Sequence, residues 1–200
     1  MYNKISTSLK TLTIAIGLLS FGISNSCIAT SSSTALTFHP TFNDMSRGDR
    51  EKTIEILNPL LANLVDLHSH AKQAHWVIRG PGFFALHELF DKFAKEVSEF
   101  SDTVAERIEQ LGGNVQATMR SACKLSTLPP YPVDSISPPE QLKALCISIS
   151  FLTKILRSDI NKLADTDAVT AEILTDIERS FDKHLWFLEA GLDPASIPEN

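Results

Sequence analysis

Glycine-rich loops, C-x-x-C motifs and excess positive charge are all missing from this chain, and each absence closes off a class of function. Three cysteines in 200 residues, none in a C-x-x-C pair, leave no thiolate set for structural zinc or dithiol redox chemistry. The eight glycines form no phosphate-cradling loop, and Gly80-Pro81-Gly82 reads as a helix stop. There is no G-x-S-x-G elbow. No stretch shows the alternation of a convincing strand. Basic residues number 18 against 24 acidic ones, a net charge of −6, so the general field suits cations and not nucleic acid. No acidic residue precedes Asp44, and the longest apolar run of the N-terminus, Leu12 to Ile23, is short for a membrane span.

That N-terminus has the layout of a secretory signal peptide over residues 1–29. Lys4 and Lys10 flank the start, the apolar run follows, and small residues stand at Ser24, Ser26 and Ala29, with cleavage expected after Ser26 or Ala29. An uncleaved interfacial anchor is the alternative. Ser24, three residues before Cys27, argues against a lipoprotein. The expectation is therefore export to a periplasmic or extracellular location, with no stable membrane span after processing. Without a working leader the chain would stay cytoplasmic. Losing the leader removes two lysines and no acids, taking the charge from −6 to −8. Cys123 and Cys146 remain, either paired or as two independent thiols.

Residues 30–50 are Ser/Thr-rich and aperiodic, and read as a mobile arm. A first helix is predicted from Glu51 to Ile78, with Pro59 either starting or bending it. A second runs from Phe84 to Leu111 and stops at Gly112-Gly113. The proline-bearing connection 114–137 leaves room for one short helix. A third helix starts at Ser137-Pro138-Pro139-Glu140, with Ser137 as its cap. A fourth opens at Asp165-Thr166-Asp167 and closes at Gly191, ahead of a tail over 193–200. Two hairpins joined by one long crossover make an all-α, ferritin-like four-helix bundle. Trp76, Trp186 and most of the 11 phenylalanines are assigned to core or interface.

Five residues stand out against this background: His75, His87, Asp91, Asp102 and Glu106. At ~100° per residue, positions 87, 91, 102 and 106 fall near 0°, 40°, 60° and 100° of one helix, on a single face. Along the axis the two pairs lie 15 residues apart between midpoints, about 22 Å at 1.5 Å rise. No single metal and no close metal pair spans that gap. The pairs meet only if a second copy of the helix lies antiparallel, about a two-fold axis near Glu96 and Val97. Two imidazoles and three carboxylates suit ferrous iron, zinc or manganese. Read singly, each is an ordinary helical histidine or surface charge, with Arg107 as a local partner for Asp102 or Glu106. His87 to Asp91 also echoes the H-E-x-x-H zinc-protease pattern, which leaves Asp102 and Glu106 unexplained.

Further segments carry a resemblance. A-K-Q-A-H-W at 71–76, R-G-P-G-F at 79–83, A-L-H-E-L-F-D at 85–91, D-T-V-A-E-R at 102–107, Q-L-G-G at 110–113 and D-K-H-L-W-F-L-E-A at 182–190 are similar to the Dps ferritins, the DNA-protection-during-starvation proteins. The similarity covers residues 51–192. It implies a hollow homo-dodecameric cage with ferroxidase centres at two-fold interfaces. His75, His87 and Asp91 would come from one subunit and Asp102 and Glu106 from its mate, with Trp76 and Lys72 nearby. It also implies oxidation of Fe(II) by hydrogen peroxide, or oxygen, with storage of ferric iron. A non-enzymatic, metal-sequestering or surface-displayed assembly of the same shape is the alternative.

Departures from the family pattern matter too. Its DNA-binding members carry a lysine-rich arm, whereas residues 30–50 offer only Arg47 and Arg50 against Asp44 and Asp49, so stable DNA binding is not expected. His68 and His70 form an unusual D-L-H-S-H with Asp66, His68 falling near the face of His75. Asp165, Asp167, Glu172 and Asp176 crowd the start of the fourth helix, either as partners of its dipole or lining a three-fold pore.

Overall fold

The structure, a computed structural model, describes residues 38–198. The proposed leader, Cys27 and residues 30–37 of the arm lie outside the described residues. Five α-helices follow in order: α1 (Arg47–Val77), α2 (Phe83–Gln110), α3 (Met119–Leu125), α4 (Pro138–Leu163) and α5 (Ala168–Glu189), with a 3₁₀ turn at Pro194–Ser196. The described residues contain no strand. α1 packs mainly on α2 and α4 mainly on α5, with α1 also meeting α4 and α2 meeting α5. This is the four-helix bundle expected, and α3 is the short extra helix of the long connection, lying against α1. None of the helices is long and apolar enough to cross a membrane among the described residues.

The core is a continuous stack of Leu, Ile and Phe from all four long helices, including Leu57, Leu64, Phe90, Phe93, Leu152 and Phe181. Burial of this apolar surface, at about 25 cal/mol per Å², is what holds the helices together.

One boundary, one proline and one cap bear on how these helices start. α1 begins at Arg47, four residues before Glu51. The hydroxyl of Ser46 accepts from Asp49 N at 3.1 Å and donates to Asp49 Oδ2 at 2.7 Å, a reciprocal cap that nucleates the helix early. Pro59 sits inside α1 without ending it. Its ring lies on the exposed side, where water can take the carbonyl of Glu55 that loses its helical partner. Ser137 does precede α4, yet its hydroxyl donates to Glu140 Oε2 and caps no backbone N–H. The next two residues are prolines and offer none.

The arm is not free over the residues described. His39 N donates to Gly112 O at 3.0 Å, His39 Nε2 lies 3.2 Å from Glu109 Oε2, and Arg50 donates to Leu111 O at 2.8 Å. These contacts lay residues 38–46 against the C-terminal end of α2. Trp76 and Trp186 are 68% and 64% exposed, so neither belongs to the core of the single chain.

The two glycines ending α2 have different reasons. Gly112 has φ +79°, a left-handed helix exit. Gly113 has no room: a Cβ there would stand 2.6 Å from Ile54 Cδ1. Gly113→Ala is expected to cost about 1–3 kcal/mol through overpacking. Chemical denaturation checks this, and an unchanged midpoint would mean that Ile54 simply swings aside.

Candidate metal centre

α1 and α2 run antiparallel across the tight turn 78–82, where Gly80 and Gly82 have φ of +101° and +78°. The turn sets His75 and His87 face to face. His75 Nδ1 donates to His87 O and His87 Nδ1 donates to His75 O, both at 2.8 Å. The rings stack at 3.7 Å between centroids and 21° between planes, and Phe83 stacks on the far side of His87 at 5.0 Å. A carbonyl can only accept, so both rings carry their proton on Nδ1 when neutral. Each Nε2 lone pair is therefore available to a cation, with the ring orientation fixed by its backbone partner.

Asp91 stands one turn after His87. Its Oδ1 is 3.9 Å from His75 Nε2 and 2.6 Å from Lys72 Nζ. The Lys72 ammonium holds the Asp91 carboxyl below the ordinary aspartate range. Lys72 also lies over the ring of Trp76, 5.6 Å from its centroid. A cation bound by Asp91 must displace or share this ammonium. The structure thus brings His75, His87 and Asp91 close to one another, with Lys72 as a resident counter-charge on Asp91.

Asp102 and Glu106 are exposed near the other end of α2, and the structure does not bring them to the histidines. Among the described residues, no group of three or more His, Cys, Asp or Glu side chains comes together closely enough to hold a metal within one chain. Asp102 instead lines a groove of about 550 Å³ between α1 and α2, floored by Leu61, Val65, Ala105 and Ala117 and edged by Lys95. The face that carries Asp102 is therefore open and partly apolar.

Residues 54–195 match the ferritin-like domain family. The chain is 37% identical over 159 residues to the DNA protection during starvation protein of Agrobacterium fabrum, covering 79% of this chain and 98% of that one. The chain belongs to the Dps family. Among solved structures, Mycobacterium smegmatis Dps in its tetragonal form superposes with a TM-score of 0.76 at 29% identity, covering 81% of this chain and 98% of that one. Dps from Microbacterium arborescens in its high iron form gives 0.69 at 27% identity, covering 76% and 97%.

Within this Dps fold some residues play other parts than their neighbours in sequence implied. Arg107 is no surface partner of Asp102 or Glu106: it is buried and paired with Asp167, 2.9 Å away. Asp167 caps α5, accepting from Thr170 N, so it is not a free pore carboxylate. His68 is half-buried on α1, where burial first and the Lys72 charge second lower its pKa. The features around His75 and His87 that no sequence signal reported are the two carbonyl partners and the stacked Phe83. Both depend on the register between α1 and α2, which no local pattern reports.

Proposed function

We propose that this Dps protein oxidises Fe(II) with hydrogen peroxide at centres shared between two subunits and stores ferric iron inside a hollow homo-dodecamer, after export. Iron oxidation and storage are general to the family. The observation that carries the shared centre is the split on α2: His87 with Asp91 near its start and Asp102 with Glu106 near its end, on one face and about 22 Å apart. A two-fold partner laid antiparallel along that face puts each acidic pair opposite a histidine pair. The open groove beside Asp102 is where such a helix would lie.

The chemistry follows from the donors. Asp91, Asp102 and Glu106 supply hard anionic oxygens, which favour Fe(III) over Fe(II) and so pull oxidation forward. The two neutral imidazoles add binding without charge, which leaves the substrate iron weakly held and open to peroxide. Two Fe(II) deliver two electrons to one peroxide, breaking its O–O bond to two hydroxides and avoiding the hydroxyl radical of a one-electron step. The same donors also accept zinc or manganese, which would occupy the centre without this turnover.

Both arginines at the arm are engaged, Arg47 with Glu51 at 2.8 Å and Arg50 with Leu111 O. That supports an iron role over DNA binding for an acidic chain.

The test is stoichiometry and mass. Anaerobic Fe(II) titrated with peroxide should be consumed two to one, and native mass spectrometry should then show a dodecamer carrying iron. Iron bound but not oxidised would favour the sequestering alternative, and a monomer or dimer without mineral would overturn the cage.

A further inference from the structure

The D-L-H-S-H segment places one imidazole inside the bundle. His70 is 7% exposed on α1, where α1 meets α4 and the connection 126–136. Its Nδ1 lies 3.1 Å from Ser148 Oγ of α4, and that hydroxyl also reaches Ala144 O at 3.1 Å. Its Nε2 lies 3.5 Å from Asp66 Oδ1, and its ring lies 4.6 Å from that of Tyr131 of the connection, tilted by 35°.

The same groups tie the connection down. Asp66 Oδ2 accepts from Ser126 at 2.6 Å. Tyr131 donates its hydroxyl to Gln141 Oε1, and Gln141 Nε2 donates to Ser135 O at 2.8 Å. Gln141 is fully buried at the start of α4. The imidazole therefore sits where α1, the connection and α4 converge.

We infer that His70 is an acid-operated latch: the neutral imidazole lets the connection 126–136 seat between α1 and α4, and protonation unseats it.

The neutral ring donates its Nδ1–H to Ser148 Oγ, whose own proton goes to Ala144 O, and rests against Tyr131, while Nε2 stands 3.5 Å from Asp66 Oδ1. A proton adds a charge to a ring that is only 7% exposed. The charged or titratable groups facing it are few. On its own helix there is Asp66, already engaged by Ser126 and by Ser69, which donates to Oδ1 at 3.4 Å. From the connection comes Tyr131, whose phenol burial keeps neutral. From α4 the Ser148 hydroxyl touches the ring, and Glu140 and Lys143 line the same surface pocket as Ser148. Burial lowers the pKa of His70, and Asp66 offsets part of that.

A histidine whose folded pKa lies below its unfolded value contributes stability that is present in neutral solution. That stability is lost as pH falls below about 6.5 toward the folded value. The strain is relieved most cheaply on the Tyr131 side, because 126–136 holds no helix while α1 and α4 are locked by the core. Ser148 also lines a surface pocket of about 350 Å³ walled by Pro129, Pro130 and Ser135, which gives water a route in.

Hydrogen exchange on the intact assembly tests the latch. Protection of amides in 126–136, corrected for the intrinsic pH dependence of exchange, should fall about tenfold between pH 7.5 and 5.5. In His70→Gln, or in His70→Phe if the first variant fails to fold, the corrected protection should not change with pH. Unchanged protection in the wild-type protein overturns the proposal by itself. So does an equal fall in a folded His70 variant, which would place the switch elsewhere.

Discussion

A chain carrying Asp102→Ala with Glu106→Ala, and another carrying His75→Ala with His87→Ala, are each expected to lose Fe(II) oxidation and to regain it only when mixed. Loss of two direct ligands should exceed the roughly 100-fold that removing a supporting group around a metal typically costs. Recovery follows from two-fold geometry. In a mixed dimer one centre combines both defects, and the other combines the intact histidine half of one chain with the intact acidic half of its mate. Random mixing therefore restores about one quarter of the centres in an isologous dimer. Stopped-flow oxidation on co-assembled cages, with mixing verified by native mass, reads the result. A centre built within one chain would give no recovery at all. Activity surviving in either parent would remove its residues from the centre.

That His87, Asp91, Asp102 and Glu106 share one helix was legible because α2 is long, regular and amphipathic, so angular position survives from sequence to structure. His87, Asp91, Asp102 and Glu106 needed only the helix period and rise. The capping of α1 by Ser46 and Asp49 was also written locally, as Ser-Arg-Gly-Asp, but it lay within a Ser/Thr-rich stretch whose composition argued for an arm. Arg107 shows the opposite limit. Its sequence neighbours are Glu106 and Asp102, yet its partner is 60 residues away, and only the packing of α2 on α5 reveals it. Lys72 and Asp91 meet for the same reason, 19 residues apart across a turn. Side chains on one helix were placed correctly by period; pairings between helices depended on a register that no single helix encodes.

The Arg107 clamp carries the second large effect. Its side chain and that of Asp167 are 9% and 2% exposed. One guanidinium nitrogen donates to both Asp167 oxygens, at 2.9 and 3.0 Å, and Nε donates to Thr170 Oγ1 at 2.9 Å. Thr170 in turn donates its hydroxyl and its backbone N–H to Asp167. Arg107→Ala strands a carboxylate in the interior and is expected to cost about 3–5 kcal/mol, a drop in Tm on the order of 10 °C for a domain of this size. Adding Asp167→Ala should return part of that loss, since no buried charge is then left alone, although the α5 cap is forfeited at about 1 kcal/mol.

pH supplies the internal control. Burial works against ionisation of Asp167, but the hydrogen bonds from Thr170 and the Arg107 charge outweigh it and hold the carboxyl below its ordinary value. A depressed carboxylate contributes stability above its unfolded pKa of about 3.9 and loses it as pH falls through the folded value. The gap between wild-type protein and Arg107→Ala should therefore shrink as pH falls, beginning where the stranded Asp167 of the variant takes up its proton while the wild-type carboxylate stays ionised. A gap that persists there would assign the loss to packing of the arginine stem. Arg107 immediately follows Glu106, so in the proposed centre the clamp that binds α2 to α5 would also steady the acidic pair. An Arg107→Lys chain, which keeps the charge but not the fork, should then oxidise Fe(II) more slowly at temperatures where it remains fully folded.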